Sequence, residues 1–176
     1  MNNTVLYDYW RSSASYRLRI ALNLAEIPYR AVSVDLVKGE QKSPAHLARN
    51  PQGLVPVLEI DGLQMTQSLA ILDYLDQTRT LGLLPTDPAL RVQSQALAQS
   101  IAVDIHPVCN LQVVAYAAST AADPSAAREA WMARFIRPGL EAFESLLGGF
   151  DQQPFCTGEA PGLGDICLMP QLYNAR

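Results

Sequence analysis

The sequence predicts an α/β unit followed by an all-α unit, and three observations carry that expectation. Strand-like and helix-like runs alternate over residues 1–80, a stretch rich in glycine and proline follows at 81–88, and every periodic segment in 89–176 has helical spacing. The first and last of these ranges are expected to be the two domains and the middle one their linker.

Taken in order, "TVLYDY" near the start is rich in β-formers and reads as a strand. From Ser15 to Glu26 the apolar residues Leu18, Ala21, Leu22 and Ala25 recur at i, i+3, i+4 and i+7, one face of a helix. In "YRAVSVDL" the alternation puts Val32 and Val34 on one side of a second strand. Strand, helix and strand make a βαβ unit and a parallel pair. A short helix is expected near Ala45–Arg49. Beyond it "VLEI" and "LQM" flank Asp61-Gly62, a two-residue hairpin signal, and "SLAILDYLDQT" is helical. Gly82, Pro85 and Pro88 then mark the linker. Leu97, Ile101, Ile105 and Val108 define a helix over Leu90–Tyr116 with a kink at Pro107. A further helix spans Ser125–Leu147 and stops at Gly148-Gly149, and a last one starts near Leu163.

Hydrophobic residues make up 49% and charged residues 17%, the balance of a folded chain. A net charge of −4 disfavours nucleic acid or an anionic membrane as partner. No apolar run approaches the ~20 residues of a membrane span, and "MNNTVLYDYW" lacks the regions of a secretory signal. Cys109, Cys156 and Cys167 form no CxxC pair, and an odd count argues for reduced thiols and a cytoplasmic location. They read as small buried apolar residues. No metal-ligand spacing is present.

The segment with most chemistry is "WRSSASYRLRIAL", residues 10–22. Ser12, Ser13 and Ser15 fall where a strand ends and a helix begins. One reading is a helix cap, a serine oxygen accepting from an otherwise unpaired amide. The other is an anion site made by a hydroxyl and a helix N-terminus, where a thiolate has a lowered pKa. No cysteine lies in this stretch, so that thiol belongs to a ligand.

Four segments then agree in order with one family. "SSASYRLRIALNL", "NPQGLVPVLEIDG", "QSLAILDYL" and "GDICLMPQLYNAR" resemble the zeta-class glutathione transferases, which include maleylacetoacetate isomerase. The resemblance covers essentially the whole chain. It implies an α/β N-terminal thioredoxin-like domain followed by an all-α C-terminal domain, glutathione as cofactor and a homodimer. Family members continue past "PQLYNAR" with further helices, so the all-α domain is expected to be incomplete here.

By resemblance, Ser12 donates a hydrogen bond to the glutathione sulfur, and Ser13 and Ser15 shape the turn and lend backbone amides. Ala14 stands where the family usually has cysteine, a departure expected to change rate or side-activities. The Val55-Pro56 bond is expected to be cis, against ~5–6% of X–Pro bonds in general, with the Val55 main chain pairing to the cysteinyl backbone of glutathione. Gln67 and Ser68 match residues that hold the γ-glutamyl carboxylate, and Gln41 falls where the family reaches the glycyl end. His106 and Asn110 border the glutathione site. Arg11 and Arg176 match positions around a small dicarboxylate substrate, which arginine suits by its bidentate geometry. His46 has no counterpart and is expected at the surface. "PGLGDICL" resembles the family's helix-start capping box with Gly162 at the cap and Asp165 three residues on, a folding motif.

The activity implied is glutathione-dependent cis–trans isomerisation of maleylacetoacetate in tyrosine and phenylalanine catabolism. Maleylpyruvate isomerase is the alternative enzyme; those bacterial relatives carry arginine where Leu111 follows Asn110, which favours maleylacetoacetate. General conjugating or dehalogenating activity and a non-catalytic binding module are the remaining alternatives.

Overall fold

The computed structural model describes residues 4–151 and 154–175. The chain divides into two compact units at Gly82–Leu83. In the first, strand β1 (Val5–Asp8) leads into helix α1 (Ser13–Leu24) and returns as β2 (Arg30–Ser33). β1 and β2 pair in parallel, with Val5 opposite Arg30 and Asp8 opposite Ser33. Strand β3 (Val57–Ile60) runs antiparallel to β1 on its other side, and β4 (Leu63–Thr66) pairs with β3. The sheet order is β2-β1-β3-β4. Asp61 and Gly62, at φ 55 and 77, make the hairpin between β3 and β4, the left-handed pair that a primed two-residue turn requires.

Alternation along the strands divides the core. Val5, Tyr7 and Val57 cluster with Val34 and Val55, and Val32 packs against them. Leu6 and Leu58, of opposite parity, are fully buried on the other face. Helix α3 (Ser68–Arg79) packs against α1. The spacing read from the sequence buries Leu18, Ala21 and Leu22 on α1, and Ile71, Leu72 and Leu75 on α3. Between β2 and β3 lie a short 3₁₀ turn (Glu40–Lys42) and the one-turn helix α2 (Pro44–Leu47), capped by Ser43.

In the second unit Leu83 and Leu84 are buried, and α4 (Pro88–Gln99) starts from an Asp87 cap with proline in its first turn. The expected long helix with a kink at Pro107 is instead broken. α4 widens into a π segment (Ser100–Ile105), the chain turns through residues 106–110, and α5 (Leu111–Ser119) begins afresh. Pro107 lacks an amide proton and crowds the preceding turn, and Asn110 caps the new helix through the Gln112 and Val113 amides. A proline with a good cap three residues later ends a helix, where a proline alone bends one.

Helix α6 (Pro124–Leu147) starts from an Asp123 cap and carries Pro138 in its interior. It packs against the π segment, and Trp131 donates its indole N–H to the Val108 carbonyl at 2.8 Å. Helix α7 (Leu163–Asn174) begins with the Asp165 carboxylate accepting from the Gly162 amide at 2.9 Å and the Cys156 amide at 3.0 Å. The cap position has no side chain; a Cβ there would come 3.0 Å from Thr157 Oγ1 and 3.3 Å from the Leu83 carbonyl oxygen. Among the described residues no helix is long and apolar enough to cross a membrane.

Gly139 on α6 faces the π segment so closely that an added Cβ would overlap the Ile105 side chain. Gly→Ala inside a helix ordinarily stabilises by up to ~1 kcal/mol. Overpacking a buried contact costs about 1–3 kcal/mol. Gly139→Ala is therefore expected to lower stability by about 1 kcal/mol, checked by denaturant unfolding, with loosening localised to residues 100–106 in hydrogen exchange.

Candidate active site

The end of β1 and the start of α1 are held by a dense set of bonds. The Ser12 amide donates to the Tyr9 carbonyl at 2.8 Å, and Ser12 Oγ accepts from the Ser15 amide at 3.2 Å as the cap of α1. Capping uses an oxygen lone pair and leaves the hydroxyl hydrogen with no acceptor among the described residues. Ser13 is buried in the first turn, and Ser15 is fully buried with no partner for its Oγ among the described residues. Ala14, half-buried in the same turn, leaves the helix regular.

Two arginines of α1, to which the sequence reading gave no role, anchor this corner. Arg19 places Nη1 2.8 and 2.7 Å from the two Asp8 carboxylate oxygens, donates from Nη2 to the Trp10 carbonyl at 3.0 Å, and lies over the Tyr16 ring. One guanidinium thus ties the end of β1 and the loop before Ser12 to the helix that Ser12 caps. Arg17 is 2% exposed and donates to Ser68 Oγ at 3.1 Å. Their spacing on α1 is legible in the sequence; that one faces a strand end and the other a distant helix start is not.

Ser68 is the first residue of α3, and Gln67 before it has φ 69. A non-glycine residue there costs on the order of 1–3 kcal/mol, and such backbone tends to collect at binding sites. Gln67 also donates from Nε2 to Gln52 Oε1 at 2.9 Å. Gln52 belongs to the loop "NPQGLVP", in which Val55-Pro56 is cis. Gly53 turns that loop at φ 63, where a Cβ would meet Lys42 Nζ and the Gln41 carbonyl oxygen. Among the described residues neither the Val55 N–H nor its C=O takes a backbone hydrogen bond. Gln41 is buried and donates to the Leu36 carbonyl at 3.4 Å, with no partner for its Oε1 among the described residues. Arg11 is exposed, its guanidinium 5.6 Å from the Trp10 ring centre.

His46 departs from expectation. It is 2% exposed, and its Nε2 lies 2.9 Å from the Leu54 carbonyl oxygen. A lone histidine in a helix of one turn carries no periodicity to show which way it faces; the return of the chain at residues 50–54 turns it inward.

These bonds join the Ser12 corner, the start of α3 and the Val55 loop into one arrangement: two helix N-termini, a capping hydroxyl with a free hydrogen, and an unpaired stretch of main chain. A Glutathione S-transferase N-terminal domain profile matches residues 3–77. A maleylacetoacetate isomerase of Rhizobium meliloti (strain 1021) is 58% identical over 176 residues, covering 99% of this chain and 83% of that relative. The holo structure of a maleylpyruvate isomerase, described as a bacterial zeta-class glutathione transferase, superposes with TM-score 0.91 at 39% identity, covering 98% of this chain and 82% of that one.

The chain belongs to the zeta-class glutathione transferases. A second solved member, the maleylacetoacetate isomerase of Methylobacterium extorquens AM1 with malonate and glutathione bound, has TM-score 0.90 at 40% identity over 97% of this chain and 81% of its own.

In this zeta-class chain the second unit holds His106 and Asn110. His106 is half-buried just after the π segment, a form of helix frequent at functional sites. Asn110 accepts from two amides as the α5 cap and donates to the Pro107 carbonyl at 2.7 Å. Arg176 lies outside the described residues. Cys109, Cys156 and Cys167 are all buried. Burial pushes the Cys109 thiol up, and burial followed by the Asp165 carboxylate pushes Cys156 up to about 12. A raised thiol pKa keeps the unreactive protonated form, so alkylation of Cys109 and Cys156 in the folded protein is expected to be slow at neutral pH and to accelerate only as pH climbs toward those raised values or on unfolding. Mass spectrometry after iodoacetamide treatment at several pH values checks this.

Proposed function

We propose that this chain catalyses the glutathione-dependent cis–trans isomerisation of maleylacetoacetate to fumarylacetoacetate, a step of tyrosine and phenylalanine catabolism, as a homodimer in a reducing cytoplasm. The observation that carries the reading is the Ser12 hydroxyl. Its oxygen is engaged by the Ser15 amide, and its hydrogen is left to donate at the positive end of α1.

The donors present suit glutathione. Ser68, receiving a charge-assisted bond from the buried Arg17, has a hydroxyl hydrogen to offer the γ-glutamyl carboxylate at the start of α3, beside Gln67. The Val55 N–H and C=O, which take no backbone hydrogen bond among the described residues, suit the cysteinyl main chain in the manner of an added strand. Gln41 is the proposed contact for the glycyl end. Glutathione, when bound, supplies a thiolate that adds reversibly to the conjugated double bond and so frees it to rotate. Ser12 stabilises that anion by donating, and the amides of the first α1 turn, with Ser13 and Ser15 shaping it, add the helix dipole. The exposed Arg11 guanidinium suits a substrate carboxylate, with Arg176 proposed as its counterpart. His106 and Asn110 are proposed for the glutathione side by resemblance.

A hydrogen bond to a charged group contributes about 1.5–3 kcal/mol, which at 1.36 kcal/mol per unit is roughly 1–2 pKa units. Ser12→Ala is expected to raise the bound thiol pKa by about that amount, read from thiolate absorbance against pH. A thiol as acidic in the variant as in the unsubstituted protein, or no more acidic bound than free, defeats the reading.

The maleylpyruvate isomerase likeness sustains a second reading. Leu111, apolar and partly exposed directly after Asn110, favours maleylacetoacetate. Turnover of maleylacetoacetate is expected to exceed that of maleylpyruvate, and a reversed preference in a side-by-side assay selects the second reading.

A further inference from the structure

We propose that His46 is a positioning residue for glutathione, acting through the Leu54–Val55 peptide. The proposal rests on the glutathione-dependent reading above and concerns a buried side chain bonded to the main chain of the Val55 loop.

The Leu54 carbonyl oxygen receives two side-chain bonds. His46 Nε2 lies 2.9 Å from it, and Asn50 Nδ2 donates to it at 2.9 Å. A carbonyl can only accept, so Nε2 carries the imidazole hydrogen. Both lone pairs of the oxygen are thereby engaged. His46 is 2% exposed and Asn50 3%, so neither bond competes with bulk water. His46 itself is set by its own amide, which donates to the Ser43 carbonyl at 3.1 Å and to Ser43 Oγ at 3.3 Å, while its carbonyl accepts from the Arg49 and Asn50 amides. The two donors are thus parts of one preformed turn.

The carbonyl of Leu54 and the amide of Val55 share one peptide plane. In a trans peptide they point in opposite directions, and the one cis bond hereabouts is the next, Val55-Pro56. Holding the carbonyl toward His46 and Asn50 therefore aims the Val55 N–H away from them. Among the described residues that N–H takes no backbone hydrogen bond. Leu54 is 39% exposed and offers little packing to hold the plane. The polar clamp is the orienting device, and a preoriented donor binds more tightly because its ordering cost is already met by the fold.

Three measurements test this. His46→Phe keeps a ring and removes the donor, and His46→Gln keeps an N–H at the same reach. Glutathione affinity by calorimetry is expected to fall about tenfold in His46→Phe, the net worth of one buried hydrogen bond, and to return toward the unsubstituted value in His46→Gln. In steady state the loss is expected in the glutathione KM, with kcat at saturating glutathione little changed. Nitrogen-15 spectra of the unsubstituted protein are expected to show the Nε2–H tautomer at His46, a readout that stands if His46→Phe does not fold. Unchanged affinity in a folded His46→Phe, equal losses in both variants, or an Nδ1–H tautomer each overturns the proposal. Failure of the unsubstituted protein to bind glutathione overturns the underlying reading instead, and the positioning role with it.

Discussion

Parallel pairing of β1 with β2 obliges the chain to cross the full length of the sheet between them, and α1 is that crossing. A helix serving as a crossover must begin beside the carboxyl end of the strand it leaves. The unsatisfied amides of its first turn therefore lie where β1 ends, and Ser12 occupies the junction. The chemistry of the first unit starts from this constraint. A positive helix end beside a capping hydroxyl is a place for an anion whatever the rest of the chain does.

The remaining polar architecture stabilises that junction and relates it to its neighbours. Arg19 holds the loop before Ser12 to Asp8 and Trp10, so the cap is not left to the conformational freedom of an exposed turn. Arg17 ties α1 to the first residue of α3, and Gln67 ties that helix start to the loop carrying Val55. A charge-assisted bond to a buried hydroxyl contributes about 1.5–3 kcal/mol, more than the median exposed ion pair at about 0–1. The buried Arg17–Ser68 bond thus outweighs a surface contact such as Lys38–Asp35 in holding the unit together. It also orients Ser68 as a donor, which links stability to function in one interaction.

In the second unit the decisive feature is a local failure of helical regularity. Pro107 and the Asn110 cap end one helix and start another, and the π segment before them lies against the glycine that follows Pro138 on α6. Only a residue without a side chain leaves room for Ile105 there. The position of His106 follows from packing two helices away in sequence.

Periodicity and turn chemistry by themselves determined the order of elements, the parallel first pair, the Asp61-Gly62 hairpin and the helical second half, because these depend on neighbours three or four residues apart. The serine-rich junction and the Val55-Pro56 loop were legible too, through motif order. The inward turn of His46, the use of Arg17 and Arg19 as ties, and the room for the π segment beside Gly139 were decided only in three dimensions. Each depends on partners eight to fifty-one residues distant or on whether space exists beside a glycine. A sequence states which side chains can donate or accept; folding alone brings a carbonyl such as that of Leu54 within their reach.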